Sequence, residues 1–177
     1  MDRRHRRFLV VGGRHRRGAS CGGCPGVALA VGAEPDTQVM TTKSNPPDLH
    51  PTPGYHHVTV CQPGRLVLLA GQCPLDVTGS LVGPGDLLAQ VGQVVRNIEV
   101  ALESAGATPG DVVRTVIYVA SAARSDLASV WSALWESAIG TAFTSASTLV
   151  GVAQLGYPGQ LVEVDVTALV PGSGSTP

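Results

Sequence analysis

The sequence predicts an α+β domain: a single mixed sheet covered on one face by two helices. Three observations carry that expectation. Two stretches repeat apolar residues at three- and four-residue spacing, a nearly continuous β-branched run lies between them, and the last stretch alternates strictly with a period of two. At 177 residues, 44% hydrophobic and 14% charged, the chain fits one domain with an extension.

The first two elements are β-prone runs at residues 55–60 and 66–70, separated by Cys61-Gln62-Pro63-Gly64-Arg65. The Pro-Gly pair supplies turn chemistry, so the two runs are expected to pair as an antiparallel hairpin. Gly71-Gln72-Cys73-Pro74 ends the second strand, because proline cannot continue a ladder, and residues 76–80 read as a tight turn.

From Asp86 the period changes. Leu87, Val91, Val94, Val95, Ile98, Ala101, Leu102 and Ala105 form the apolar stripe of an amphipathic helix, with Asp86 at the N-cap and Gly106 just past the C-terminus. Residues 108–111 make the return loop, and the β-branched run at 112–119 is expected as a central strand buried on both faces. A second helix follows, capped by Ser125, striped by Leu127, Val130, Trp131, Leu134, Trp135 and Ile139, and ended by Gly140. Its two tryptophans are expected in the core.

Residues 147–153 and 161–170 are the last two strands, joined through Gly156-Tyr157-Pro158-Gly159. In the final strand Val162, Val164, Val166 and Ala168 face one way while Glu163, Asp165 and Thr167 face the other. Two carboxylates at this spacing sit ~7 Å apart and repel unless water, a cation donor or a ligand separates them. Helices on one sheet face leave the other without a cover inside the monomer, which predicts oligomerisation.

Charge is unevenly distributed. Seven of the twelve basic residues lie in the first seventeen positions, whereas from Ser44 onward four basic residues face ten acidic ones, a formal balance of −6. An acidic body repels phosphate backbones, so nucleic acid is not an expected partner. We assign residues 1–48 to a disordered Arg/Gly/Pro-rich extension, with Met40 as an alternative start, residues 49–170 to the domain and 171–177 to a flexible tail. The Arg6-Arg7-Phe8-Leu9 stretch is not followed by the apolar run an export signal needs, and no stretch is long enough to span a membrane. Cys21 and Cys24 have zinc-ligand spacing, with His5 and His15 nearby in sequence, yet are expected as unligated thiols. Four cysteines without a secretory signal predict a reducing cytoplasm, with Cys61 and Cys73 as small apolar residues at strand ends. His56 and His57 are read as structural histidines, and Arg114 either reaches an interface carboxylate or solvates the start of its strand.

In order and spacing, several segments are specific together. They are Gly54-Tyr55-His56-His57, Ala70-Gly71-Gln72-Cys73-Pro74-Leu75-Asp76, Gly83-Pro84-Gly85-Asp86, Asn97, Ala105-Gly106-Ala107, residues 111–119 and Leu161-Val162-Glu163-Val164-Asp165. Through them residues 54–170 resemble the YjgF/Rid (RidA-like) family. The resemblance implies a chorismate-mutase-like fold, a homotrimer whose sheets close a central barrel, and small-molecule clefts between subunits. It also implies hydrolysis of reactive enamines and imines to keto acid and ammonia, needing a carboxylate that handles water and a cation that clamps the substrate.

The family's catalytic glutamate corresponds to Glu163, and Tyr55 and Tyr118 match positions near the cleft. Gly71 is expected among the substrate-binding residues, with a tight backbone approach rather than a ligand contact as the reason for a glycine there. Where active deaminases open the penultimate strand with an arginine, this chain has Ser147 followed by Thr148, and no neighbour in the sequence replaces the cation. Two expectations follow. One is a homotrimer that binds a small metabolite, with deaminase activity weak or absent. The other is a hydrolase for a neutral or cationic imine, with Glu163 handling water and Ser147 or Thr148 donating hydrogen bonds. The folded part holds no metal or cofactor constellation, so none is expected.

Overall fold

The computed structural model describes residues 41–172; the readings of Cys21, Cys24, Met40 and the arginine-rich start lie outside them. In chain order the elements are β1 (Thr41–Ser44), β2 (Val58–Cys61), β3 (Gly64–Leu68), α1 (Leu87–Ser104), β4 (Val112–Val119), α2 (Arg124–Trp135), β5 (Ala146–Gly151) and β6 (Val162–Pro171), with short 3-10 turns at Pro109–Asp111 and Gly140–Thr144. Strands β3, β6, β4 and β5 form one four-stranded sheet in that order, parallel only between β4 and β5, and β1 and β2 form a separate antiparallel pair. The class is therefore α+β with a mixed sheet and two helices packed on it.

The two-residue alternation of β6 does what its pattern requires. Val162, Val164, Val166 and Ala168 are buried and join Ile98 and Leu102 of α1, Val130 and Leu134 of α2, and Ile117 and Val119 of β4 in one core. Their neighbours Glu163, Asp165 and Thr167 stand on the opposite sheet face beside Tyr118, Val116 and Arg114 of β4, to which they are paired. On that uncovered face Leu68, paired with Thr167, is 70% exposed.

Helix α1 begins and ends where its sequence marks it. Asp86 accepts a hydrogen bond from the Ala89 backbone at 3.0 Å, and Gly106 takes φ +63°, the left-handed conformation that ends helices cheaply. In its interior Gln90 is fully buried: Nε2 donates to the Gly83 and Gly159 carbonyls at 3.1 and 2.9 Å, and Oε1 accepts from the Leu161 backbone at 2.8 Å. One side chain thus joins the loop before α1 to the start of β6.

Several expectations need correction. The sheet is not single, and residues 55–60 do not form a hairpin with 66–70: β2 pairs with β1, and β3 pairs with β6. Instead of folding back on β3, β2 runs past the start of β5, where Thr59 Oγ1 accepts from the Ala146 backbone at 3.0 Å. Strand β1 lies in the segment assigned to the extension. Its polar residues carry no alternation, and it is held by β2 and by Lys43 Nζ donating to Thr144 Oγ1 at 2.7 Å.

Helix α2 is shorter than its stripe. Ser121 rather than Ser125 organises its start, accepting from the Ala123 backbone at 3.0 Å and donating to Asp126 at 2.6 Å. The helix ends at Trp135, and Ile139 is buried from the turn beyond it. Of the two tryptophans expected in the core, Trp131 packs against it, while Trp135 is 39% exposed and stacks on Trp131 with ring centroids 6.3 Å apart. Among the described residues no helix is long and apolar enough to cross a membrane.

Candidate functional site

Glu163 is presented by β6 between two buried valines, which fix its side chain on the uncovered face. Gln160, itself 3% exposed, donates from Nε2 to Glu163 Oε2 at 2.9 Å. The opposite wall is the continuation of β3. Leu69 donates to the Val166 carbonyl at 3.0 Å and Gln72 to the Val164 carbonyl at 2.9 Å, so two residues of one strand, Ala70 and Gly71, oppose one of the other, Asp165. The extra residue makes a bulge at Ala70 and Gly71, and it brings the Gly71 backbone against Glu163 Oε1 and within reach of Asp165. A side chain at 71 would overlap the carboxylate.

Asp165 accepts a hydrogen bond from the Tyr118 hydroxyl at 3.1 Å, and this bond, with desolvation and the two nearby carboxylates, holds the phenol above its ordinary range. Cys73 follows the bulge. Burial first, then the negative charge and hydrogen bond of Glu163, push its thiol up to about 11. Asn97 of α1 donates to the Cys73 and Leu75 carbonyls at 2.8 and 2.9 Å, fixing the loop that forms one wall of a cavity of about 720 Å³ beside Gly71. A carboxylate held by one amide on one oxygen can accept a proton from water with the other.

Tyr55, Ser147 and Thr148 lie elsewhere. They line a second cavity of about 540 Å³ between α2 and the edge strand β5, together with Leu127, Trp131 and Arg124. Tyr55 packs edge-on against Trp131, and its hydroxyl is 3.3 Å from His50 Nε2. Ser147 Oγ accepts from Thr115 Oγ1 at 2.7 Å and lies 3.2 and 3.3 Å from the carbonyls of Phe143 and Ser145, to which its own proton is directed. His56 and His57 serve the backbone: His56 Nδ1 contacts the Thr144 carbonyl at 2.6 Å, and His57 Nε2 the His50 carbonyl at 2.9 Å.

The six expected site residues therefore fall into two groups, Gly71, Tyr118 and Glu163 in one and Tyr55, Ser147 and Thr148 in the other. Sequence reasoning missed Gln160, which steadies Glu163, and Arg124, which shares the cavity of Ser147. Arg124 stands twenty-three positions from Ser147 in sequence, and only the packing of α2 beside β5 brings them to one cavity. Among the described residues no three His, Cys, Asp or Glu side chains come together as metal ligands.

Comparison with known proteins agrees with the fold. The family model described as Endoribonuclease L-PSP matches residues 47–170. A RutC family protein of Haemophilus influenzae is 34% identical over 84 residues, 47% of this chain and 59% of that protein. The 2-iminobutanoate/2-iminopropanoate deaminase of Escherichia coli is 35% identical over 57 residues, 32% of this chain and 43% of the enzyme. The matched stretches thus span about half the length of these curated relatives. A solved structure from Yersinia pestis, described as the conserved Rid family protein YyfB of unknown function, superposes with a TM-score of 0.66 at 34% identity, covering 74% of this chain and 99% of that one. By the extent of the family match and the agreement of fold and sequence with a Rid protein, the chain belongs to the YjgF/Rid family.

Proposed function

We propose that the chain is a RidA-like homotrimer whose small-molecule cleft is completed between copies. In this reading the cleft binds a small metabolite, with imino-acid deaminase activity weak or absent. The observation that carries it is the separation just described: the carboxylate group around Glu163 and the cavity around Tyr55 and Ser147 belong to different parts of one chain. A site that uses both walls needs a second copy, and the exposed Leu66 and Leu68 on the uncovered sheet face give such an assembly apolar surface to bury.

Aligned with the deaminase pattern, Ser147 occupies the arginine position, and its hydroxyl is already committed to Thr115 and the backbone. Removing one partner of a buried carboxylate pair costs about 2–5 kcal/mol, enough to abolish useful turnover of a small anionic imine. Cys61 and Cys73 are free thiols, which fits a reducing cytoplasm.

The test couples an amino-acid oxidase or a threonine dehydratase to the purified protein, follows loss of the imine or enamine, and measures mass by light scattering. A trimer that leaves anionic imino acids at their spontaneous rate is expected. A monomer overturns the shared cleft. Acceleration that disappears in Glu163→Ala makes the protein an imine hydrolase instead.

A further inference from the structure

The cavity of Ser147 is a groove with a direction. Its α2 wall is formed by Arg124, Leu127, Ala128 and Trp131, which recur at three- and four-residue spacing and so share one helix face; its other wall is the edge strand β5 at residues 147–149. Seven residues of helix separate Arg124 from Trp131, a rise of ~10 Å. Side chains on a helix lean toward its N-terminus, so the guanidinium lies at the end away from Trp131, and Tyr55 and Ser147 lie at the Trp131 end. Between the ends the walls are apolar.

Arg124 is the one charged side chain among the described residues that line this groove. The acid in its own first turn, Asp126, is occupied by Ser121 at 2.6 Å. The uncapped N-terminus of α2, with Ala123 at the cap, adds partial positive charge at the same end. At the other end the Ser147 hydroxyl is spent on Thr115 and two carbonyls. Anion recognition therefore belongs to the Arg124 end, about two helical turns from the tyrosine.

We propose that Arg124 is the anion-binding, specificity-determining residue of this groove, and that the groove takes a monocarboxylate with an apolar body long enough to run from Arg124 to Tyr55. This names the ligand class of the cavity in the function proposed above and rests on reading that cavity as a ligand site. A short imino acid cannot touch both ends. A longer arylalkyl or alkyl carboxylate pairs its charge with the guanidinium and lays its body on Leu127, Ala128 and Leu149.

The experiment titrates the full chain with 4-phenylbutyrate, 4-phenylbutyramide and propionate by calorimetry, in the natural protein, Arg124→Gln and Arg124→Lys, with mass followed by light scattering. Arg124 is exposed at the first turn of its helix, so the variants keep the fold. The expected result is binding of 4-phenylbutyrate to the natural chain, weakened roughly tenfold or more in Arg124→Gln and in the amide, and partly restored in Arg124→Lys. Propionate binds at least tenfold more weakly than 4-phenylbutyrate. Equal affinity of natural and Gln variants, equal affinity of acid and amide, equal affinity of propionate and 4-phenylbutyrate, or no binding by the natural chain overturns the proposal. The groove lies within one protomer, so a monomer that binds through Arg124 overturns only the trimeric cleft. An intact trimer without Arg124-dependent binding overturns only this inference.

Discussion

Gly71 and Glu163 meet across the bulge so closely that a β-carbon on residue 71 would overlap Glu163 Oε1 and lie 2.9 Å from its carboxyl carbon. Glycine is required there by approach rather than by backbone angle. In Gly71→Ala the carboxylate, the mobile end of its side chain, has to swing away from the bulge and give up its bond to Gln160. The fold is expected to lose about 1 kcal/mol or less, since the displaced group is half-exposed, while any chemistry carried by Glu163 falls as in Glu163→Ala. Urea unfolding and the coupled imine assay, run on both variants, check the two halves. A large loss of stability in Gly71→Ala shows that the contact serves packing.

The Cys73 thiol, pushed up to about 11, is expected to stay protonated and slow toward alkylating agents at neutral pH, whereas Cys61 is exposed at the end of β2. Peptide-resolved mass spectrometry after iodoacetamide treatment should show Cys61 modified well before Cys73. Replacing Glu163 by Gln removes a charge that disfavours the thiolate, so the Cys73 titration moves down. The linked stability follows in sign: an unfolded chain loses this proton near pH 9 while the folded one keeps it to about 11, so stability contributed by the neutral thiol is present below pH 9 and declines between 9 and 11. Thiolate absorbance against pH in the natural chain and Glu163→Gln measures the shift; an unchanged Cys73 titration separates the two groups.

Gln90 is the polar side chain on which the approach to β6 depends. Gln90→Leu conserves volume roughly but strips partners from the Gly83 and Gly159 carbonyls and the Leu161 backbone N–H. With about 1–3 kcal/mol for an unpaired buried group, and solvent reaching part of the Gly159 loop, a destabilisation of about 2–4 kcal/mol is expected. Denaturant unfolding reads it directly. A loss below about 1 kcal/mol means that water replaces the amide.

How much of this was legible in the sequence divides along a physical line. Where one residue's environment follows from its neighbours a few positions away, the reading held: the stripe and caps of α1 and the alternation that turns Glu163 and Asp165 to the uncovered face. Strand β4 is central but not buried on both faces as expected, because Arg114 is exposed and Val116 and Tyr118 are only half-buried on the uncovered side. Where the partner is distant, the reading did not hold. The Pro-Gly turn after β2 argued for a hairpin, but β2 takes β1 as its partner, and Thr41–Ser44 has no apolar residue to announce a strand. The bulge at Gly71 was foreshadowed by a glycine at a strand end; the joining of Arg124 with Ser147 was not, because it depends on how α2 lies along β5.

Ser147→Arg is the substitution in which the two proposals meet. The introduced guanidinium would enter the groove at the Tyr55 end, where the present hydroxyl sits against Thr115 and the Phe143 carbonyl. The fully buried Thr115 hydroxyl then loses its acceptor, at a cost of about 1–3 kcal/mol, so denaturant unfolding accompanies the assay. The variant then has two cations at opposite ends of one groove. It is expected to gain hydrolysis of short anionic imino acids, because the charge now lies where the deaminase pattern has it. It should also bind short carboxylates at the introduced guanidinium without help from Arg124. The coupled oxidase assay on Ser147→Arg, alone and with Arg124→Gln, reads both effects. Gained activity that survives Arg124→Gln supports the separate roles of the two ends. Gained activity that needs Arg124 means that both cations act on one carboxylate, and no gained activity with the assembly intact means that Ser147 does not occupy the clamp position.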